Sequence, residues 1–153
     1  MRKILKHFIL ILLIAHCALI FGFSAQNKKQ SSVGSEGITQ RIVKQLDSES
    51  TSKGMHLKRM RVVEKVVRKS AHVFLYAILG VLAYLNARKY SRNRHLILAM
   101  LFCLLYAVSD ELHQAFVPGR AGLISDVLID FAGSMLGMGI VCLIIKLKRR
   151  KKA

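Results

Sequence analysis

The sequence predicts an all-α fold, a small polytopic membrane protein with about four transmembrane helices and a basic extracytoplasmic loop. Hydrophobic residues make up 53% of the 153-residue chain, more than a soluble domain of this size usually carries. The chain has a net charge of +17. Its basic residues lie between and beyond four apolar stretches, where membrane topology and anionic lipid headgroups explain them. No basic patch with interleaved aromatic residues is present, so we expect no nucleic acid as a partner.

The first 23 residues predict a transmembrane helix whose N-terminus lies in the cytoplasm. Arg2, Lys3 and Lys6 precede an apolar run, Phe8 to Phe23, that is interrupted only by His16. The run is longer than the core of a typical signal peptide and ends without a good cleavage signal. We therefore expect an uncleaved first span.

Residues 24–69 predict a basic, amphipathic loop outside the membrane. The loop contains eleven Lys and Arg residues and opens with a Ser/Gly/Gln-rich patch, Gln26 to Gly37, which we expect to be irregular. Two apolar patterns at helical spacing follow and predict short helices on the lipid headgroups, with a solvated charged linker as the alternative. The patterns consist of Ile38, Ile42, Val43 and Leu46, and of Val62, Val63, Val66 and Val67.

The second span is predicted to begin near Ser70 and to end near Ala87. Its polar residues Lys69, His72 and Tyr76 recur with Gly80 at spacings that place them on one face of a helix. A polar stripe of this kind is expected to face protein rather than lipid. The short loop that follows holds four basic residues and no acid, so the positive-inside rule makes it cytoplasmic.

The third span leads into the polar segment DELHQ. On a helix, Asp110, His113 and Gln114 share one face, and Glu111 turns aside. The proline–glycine pair at 118–119 then breaks the helix and predicts a tight turn on the outer side of the membrane.

The fourth span, about residues 123–145, carries its polar residues and glycines on one face. Asp126, Asp130, Gly133 and Gly137 follow one another at helical spacing. The glycine pair is a GxxxG motif, which lets two helices approach closely and predicts a helix-packing role. Asp130 lies about two turns into the helix, so we expect it to find a partner or to take up a proton.

We therefore expect a multi-pass protein of the cell membrane. Four spans that begin in the cytoplasm place both termini there. The chain then divides into an N-terminal span, an external basic loop, a three-helix membrane core and a cytoplasmic tail, residues 1–23, 24–69, 70–145 and 146–153. This topology brings polar residues of the three core helices to one outer edge of the membrane, and we predict a ligand-binding site there. Its candidate members are Lys69, His72, Tyr76, Asp110, Glu111, Gln114, Arg120, Asp126 and Asp130.

Three groups of these residues form a recognisable combination. They are Lys69-x-x-His72-x-x-x-Tyr76, then Asp110-Glu111-x-x-Gln114-x-Phe116-x-Pro118-Gly119-Arg120, then Ser125-Asp126-Val127 with Asp130, Gly133 and Gly137. The combination resembles the VanZ family over about residues 70–145. The resemblance implies an integral membrane protein and, for the founding member, low-level resistance to teicoplanin, a glycopeptide antibiotic with a lipid tail. It implies no mechanism.

Three functions remain open, of which the first is binding or shielding. Lys69 and Arg120 would hold an anionic group such as a lipid phosphate, because the planar guanidinium donates two parallel hydrogen bonds. The carboxylates would contact a cationic or hydroxylated headgroup. The partner would then be a membrane lipid or a lipid-linked envelope component, and the protein itself a monomer or a weak dimer.

The second function is an intramembrane enzyme acting on a lipid or cell-wall precursor. Asp110, Glu111, Asp126 and Asp130 would divide the acid and base roles, with His72 as a base. A histidine beside carboxylates could instead bind a metal, but neither HExxH nor GxSxG occurs, and we expect no resident metal and no cofactor. The third is a structural polar network that only joins the helices.

Overall fold

The structure is a computed structural model that describes residues 2–26, 28–47, 52–90, 93–118, 120 and 122–151; Gly119 of the predicted turn lies outside them. These residues form five α-helices and no strand, which confirms the all-α prediction. The helices are α1 (Arg2–Ser24), α2 (Lys28–Leu46), α3 (Lys53–Tyr90), α4 (His95–Ala115) and α5 (Ile124–Arg150). Of the described helices, α1, α3, α4 and α5 are long and apolar enough to cross a membrane, as the sequence predicted.

These four helices form a bundle in which α3 and α5 run in one direction and α1 and α4 in the other. At one end, Asn86 Nδ2 near the end of α3 donates to the carbonyl of Ile9 near the start of α1, at 3.1 Å. At the other end, Gln114 Nε2 of α4 donates to Oγ of Ser24, the last residue of α1, at 3.2 Å. We call the end with Gln114 the polar end and the end with Asn86 the basic end.

Small residues allow α3 and α5 to approach closely. A Cβ atom at Gly133 would lie 2.7 Å from a backbone carbonyl oxygen of α3, and one at Gly137 would overlap the backbone of Ala77. The contact is reciprocal, because a Cβ at Gly80 of α3 would overlap the backbone of Ser134. A real Cβ tolerates none of these separations, so the backbones touch where only glycine fits.

Helix α4 places its small side chains inside the bundle and large apolar side chains outside. Along α4, Ala99, Cys103 and Ala107 are buried, whereas Leu101 and Leu105 are more than half exposed. This distribution is typical of membrane bundles, in which lipid solvates the outer face and small residues permit close helix packing. The buried apolar core consists of Leu13, Ile20, Tyr76, Leu79, Ala83, Tyr84, Ala99, Cys103, Ala107 and Met138.

Beyond the polar end, α2 packs against the first part of α3 as a helical hairpin. The prediction that the Ser/Gly/Gln-rich patch is irregular is wrong, because α2 is helical from Lys28 onwards. Thr39 and Val43 of α2 are almost completely buried. Their burial offsets the low helix propensity of Gly34 and Gly37, which costs about 1 kcal/mol for each glycine.

An ionic cluster closes this hairpin. Arg59 of α3 donates to Asp47 Oδ1 at 2.7 Å and to the carbonyl of Leu46 at 2.5 Å, and His56 also pairs with Asp47. The hydrogen bond from His56, together with Arg59, holds the pKa of the Asp47 carboxyl below its usual range. Arg59 thereby satisfies one of the carbonyls that the end of α2 leaves without a helical partner.

The length of α3 explains how one helix serves both the hairpin and the bundle. It contains 38 residues and is therefore about 57 Å long, whereas the hydrocarbon core of a bilayer is about 30 Å thick. The second amphipathic pattern and the second predicted span thus belong to one continuous helix. Its first part extends past the polar end of the bundle.

We predict that Gly137→Ala destabilises the bundle by about 1–3 kcal/mol, because the added Cβ would meet the backbone of Ala77 and force the helices apart. Gly139→Ala is the matched control, since a Cβ at Gly139 has no atom within 4 Å. Thermal unfolding of both variants in the same detergent tests this. Equal stability of the two variants would contradict the close contact between α3 and α5.

Candidate functional site

A cavity of about 360 Å³ opens at the polar end between α3, α4 and α5. Nine of its lining residues are charged. The lining comprises Arg61, Glu64, Lys65, Arg68, Lys69 and His72 of α3, Glu111 and Gln114 of α4, Arg120 and Leu123 before α5, and Asp126, Ile129 and Asp130 of α5. Seven of the nine predicted site residues therefore share one cavity, and the other two, Tyr76 and Asp110, are buried in the bundle.

Two polar contacts join α3 to α5 along one side of the cavity. Lys69 Nζ donates to Asp126 Oδ1 at 2.5 Å, and both side chains are about one-third exposed. One turn deeper, His72 Nδ1 lies 3.4 Å from Asp130 Oδ2, and Asp130 is only 1% exposed. The stripe predicted on the second span does face protein, because α3 and α5 run in parallel and bring residues at matching depth together.

Gln114 connects three elements at the end of α4. Its amide Nε2 donates to Asp110 Oδ2 at 3.1 Å and to Ser24 of α1, and its Oε1 accepts a hydrogen bond of 2.9 Å from Arg120. An amide has both donors and acceptors, so Gln114 can satisfy a carboxylate and a guanidinium at once. The neutral amide leaves the positive charge of Arg120 uncompensated by this contact.

The structure reverses the predicted roles of two neighbours on α4. Glu111 does not turn aside: it is 5% exposed, and its Oε2 accepts a hydrogen bond of 2.9 Å from the backbone N–H of Leu123 at the start of α5. His113 does not face the cavity, because its ring packs on Phe21 of α1 with the ring centroids 4.3 Å apart. The prediction assumed that α4 has one buried face, but the end of α4 is covered from more than one side.

Sequence reasoning did not assign to the site the part of α3 that precedes the predicted second span. Arg61, Lys65 and Arg68 line the cavity, although we did not predict any of them as site residues. A signal was present, because these three residues continue the stripe of Lys69 and His72 at helical spacing. Because α3 is one continuous helix, Arg61, Lys65 and Arg68 lie on the same face as Lys69 and His72.

Two arginines, Arg68 and Arg120, line this cavity. Arg68 NH2 donates to Glu64 at 2.7 Å, and Arg120 donates to the amide of Gln114. In both arginines Nε is buried and has no hydrogen-bond partner among the described residues. Burial, and then the positive charge of Arg68, lower the pKa of Arg120. The two arginines are therefore close enough to repel each other.

This arrangement can hold an anion between the arginines. A phosphate or carboxylate would accept hydrogen bonds from guanidinium groups in the geometry they favour and would relieve their repulsion. Glu64, Glu111 and Asp126 offer acceptors for hydroxyl or ammonium groups on the same ligand. The cavity is thus suited to a small ligand that carries both a negative charge and hydrogen-bond donors.

Comparison with known proteins supports the membrane character of the chain. The family model described as VanZ/LLP1 matches residues 8–146, a range that includes every residue of the cavity. No curated protein and no solved structure matches the chain.

We predict that Lys69 and Asp126 stabilise the fold jointly, with a coupling free energy of about 1 kcal/mol, as expected for a partly buried ion pair. A double-mutant cycle of Lys69→Ala and Asp126→Ala, followed by thermal unfolding in detergent, measures this coupling. Lys65→Ala with Asp126→Ala is the matched cycle, because Lys65 lines the cavity but has no ion pair with Asp126. Equal coupling in the two cycles would disprove a specific contact.

Proposed function

Because this chain belongs to the VanZ/LLP1 family and is a multi-pass membrane protein, we propose that it binds the phosphate-bearing headgroup of an envelope lipid in the cavity at its polar end. One observation carries the proposal. Arg68 and Arg120 line one cavity, and the side-chain hydrogen bond of Arg120 that the structure describes goes to the neutral amide of Gln114. A lipid phosphate in the cavity would supply the negative charge that this amide lacks.

The charge of the cavity supports a phosphodiester as the bound group. Its lining has five cations, Lys or Arg, and four carboxylates, which leaves one positive charge when His72 is neutral. A phosphodiester carries one negative charge and neutralises this excess. The carboxylates would be acceptors for the hydroxyl groups that such headgroups carry beside the phosphate, so the ligand class is an anionic, hydroxylated phospholipid.

The distribution of basic residues supports an outward orientation of the cavity. A second group of basic residues, including Arg88, Lys146, Arg149 and Arg150, lies together at the basic end. The positive-inside rule places this end in the cytoplasm, and both termini with it. The cavity would then lie at the level of the outer headgroups. The basic hairpin of α2 and α3 would then lie outside the membrane.

We predict that Arg120→Ala weakens binding of phosphatidylglycerol by about 10–100-fold, because charge-assisted hydrogen bonds contribute about 1.5–3 kcal/mol. The measurement is a lipid titration of the detergent-solubilised protein at low and high salt. Binding to wild type should weaken with salt, and binding to the variant should be less sensitive to salt. Inorganic phosphate, titrated separately, shows whether the lipid tails contribute.

Arg41→Ala is the matched control for this titration. It removes the same charge from α2, on the same side of the membrane, at an exposed residue that does not line the cavity. Thermal unfolding of each variant shows that the fold is intact. If Arg120→Ala and Arg41→Ala bound the lipid equally well while folded, the cavity would not be the binding site and the polar residues would only join the helices.

The same site offers a route to glycopeptide resistance, which the family resemblance suggested. A protein that binds headgroups in the outer leaflet can exclude an antibiotic that anchors there through a lipid tail. An antibiotic without a tail would be unaffected. The proposal therefore requires selectivity for teicoplanin over vancomycin, which has no lipid tail.

We expect that the wild-type chain, expressed in a Gram-positive host without close relatives of this protein, lowers susceptibility to teicoplanin but not to vancomycin. Arg120→Ala should abolish the difference, and Arg41→Ala should retain it at matched membrane abundance. Growth inhibition assays measure both. An unchanged susceptibility with well-expressed wild type would refute the resistance role and would leave the lipid-binding proposal to the titration.

A further inference from the structure

Three side chains from three different helices converge beside the cavity of the polar end, deeper in the bundle. They are His72 of α3, Asp110 of α4 and Asp130 of α5, and one ligand atom of each lies within 4.8 Å of the others. Asp110 is 3% exposed and Asp130 1% exposed. His72 and Asp130 also line the cavity, so this triad forms part of its floor.

The two buried carboxylates have few hydrogen-bond donors around them. Asp110 Oδ2 accepts from Gln114, but Asp110 Oδ1 is buried with no hydrogen-bond partner among the described residues. The nearest donor to Asp130 that the structure shows is His72 Nδ1, at the long distance of 3.4 Å. Burying carboxylates costs several kcal/mol for each ion unless charge and hydrogen bonds compensate it.

A second observation comes from Tyr76, which does not belong to the triad. Its side chain is fully buried, and its hydroxyl has no hydrogen-bond partner in the described part of the chain. The hydroxyl lies beside Asp110, close enough to interact with its carboxylate, and so adjoins the triad. Of the nearby cations, Lys69 pairs with Asp126 and Arg120 donates to the amide of Gln114; neither is described as donating to Asp110 or Asp130.

We propose that His72, Asp110 and Asp130 bind one divalent transition-metal cation, with the hydroxyl of Tyr76 beside it. One imidazole nitrogen and two carboxylate oxygens suit Zn²⁺ or Mn²⁺ better than Ca²⁺ or Mg²⁺, which take oxygen ligands. The ion balances the two buried carboxylates and ties α3, α4 and α5 together. To form the 2.0–2.2 Å bonds that Zn²⁺ makes with nitrogen and oxygen, the ligand atoms have to come closer together than the 4.8 Å within which they now lie.

The ion would also provide a further binding group for the phosphate in the cavity, a role that rests on the proposed function. Two of its ligands line the cavity floor, so a coordination position not used by protein is accessible to a phosphate oxygen held by Arg120. Metal binding itself requires no lipid. Metal binding can therefore be tested separately from lipid binding.

The test is titration of chelator-treated, lipid-free protein in detergent with Zn²⁺ and, in parallel, with Mn²⁺ followed by electron paramagnetic resonance. Wild type should bind one ion per chain and unfold at a higher temperature with it. Asp110→Asn and His72→Gln should each weaken binding at least about 100-fold, since even loss of an outer partner of a ligand costs 10–100-fold. Glu111→Gln, a buried carboxylate adjacent to Asp110 but outside the triad, should change the affinity by less than about tenfold.

Electron spin echo spectra give a readout that does not depend on stability. Bound Mn²⁺ should show coupling to one imidazole nitrogen in wild type, and His72→Gln should lose it. Folded wild-type protein that binds neither ion would overturn the proposal. So would unchanged binding in folded Asp110→Asn and His72→Gln, or an equal loss in Glu111→Gln, which would indicate diffuse attraction by negative charge. Phosphatidylglycerol titration of the same chelated samples shows independently whether lipid binding fails.

Discussion

The close contact between the backbones of α3 and α5 is the constraint on which the site depends. Gly80, Gly133 and Gly137 let the two parallel helices touch where any side chain would hold them apart. At this separation the short side chains of Asp126 and Asp130 reach Lys69 and His72 across the interface. A wider interface would leave these carboxylates without partners near the apolar part of the membrane, where an isolated charge costs about 2.5–3.5 kcal/mol or more.

The polar end shows how the chain distributes charge that a membrane bundle tolerates poorly. Ionic contacts that can be hydrated, such as Lys69 with Asp126, lie near the opening of the cavity, and the least exposed carboxylates lie below it. Gln114 ties this charged layer to α1 and to the segment before α5. Stability and ligand binding therefore use the same residues, and a substitution here has to be judged by its effect on folding as well as on binding.

Much of the architecture could be predicted because apolar helical spans leave a strong local signal. The four spans, the stripe of Lys69, His72 and Tyr76, and the glycine motif of α5 all follow from the period of the helix. The same reasoning failed where a second element of the fold packs against a helix. The Ser/Gly/Gln-rich patch forms the first part of α2, whose later residues Thr39 and Val43 are buried. Glu111 is buried where the segment before α5 meets the end of α4, and it accepts a hydrogen bond from the backbone N–H of Leu123.

The sequence by itself determined the number of spans, the ends of the bundle at which charge collects and the polar faces of the second and fourth spans. Only the tertiary structure decided which residues meet: Arg68 with Arg120 at one cavity, and His72 with Asp110 and Asp130 below it. The physical reason is that helical periodicity is a local property of one segment. The partners across an interface depend instead on how closely and at what register the backbones approach, which the glycines of α3 and α5 set.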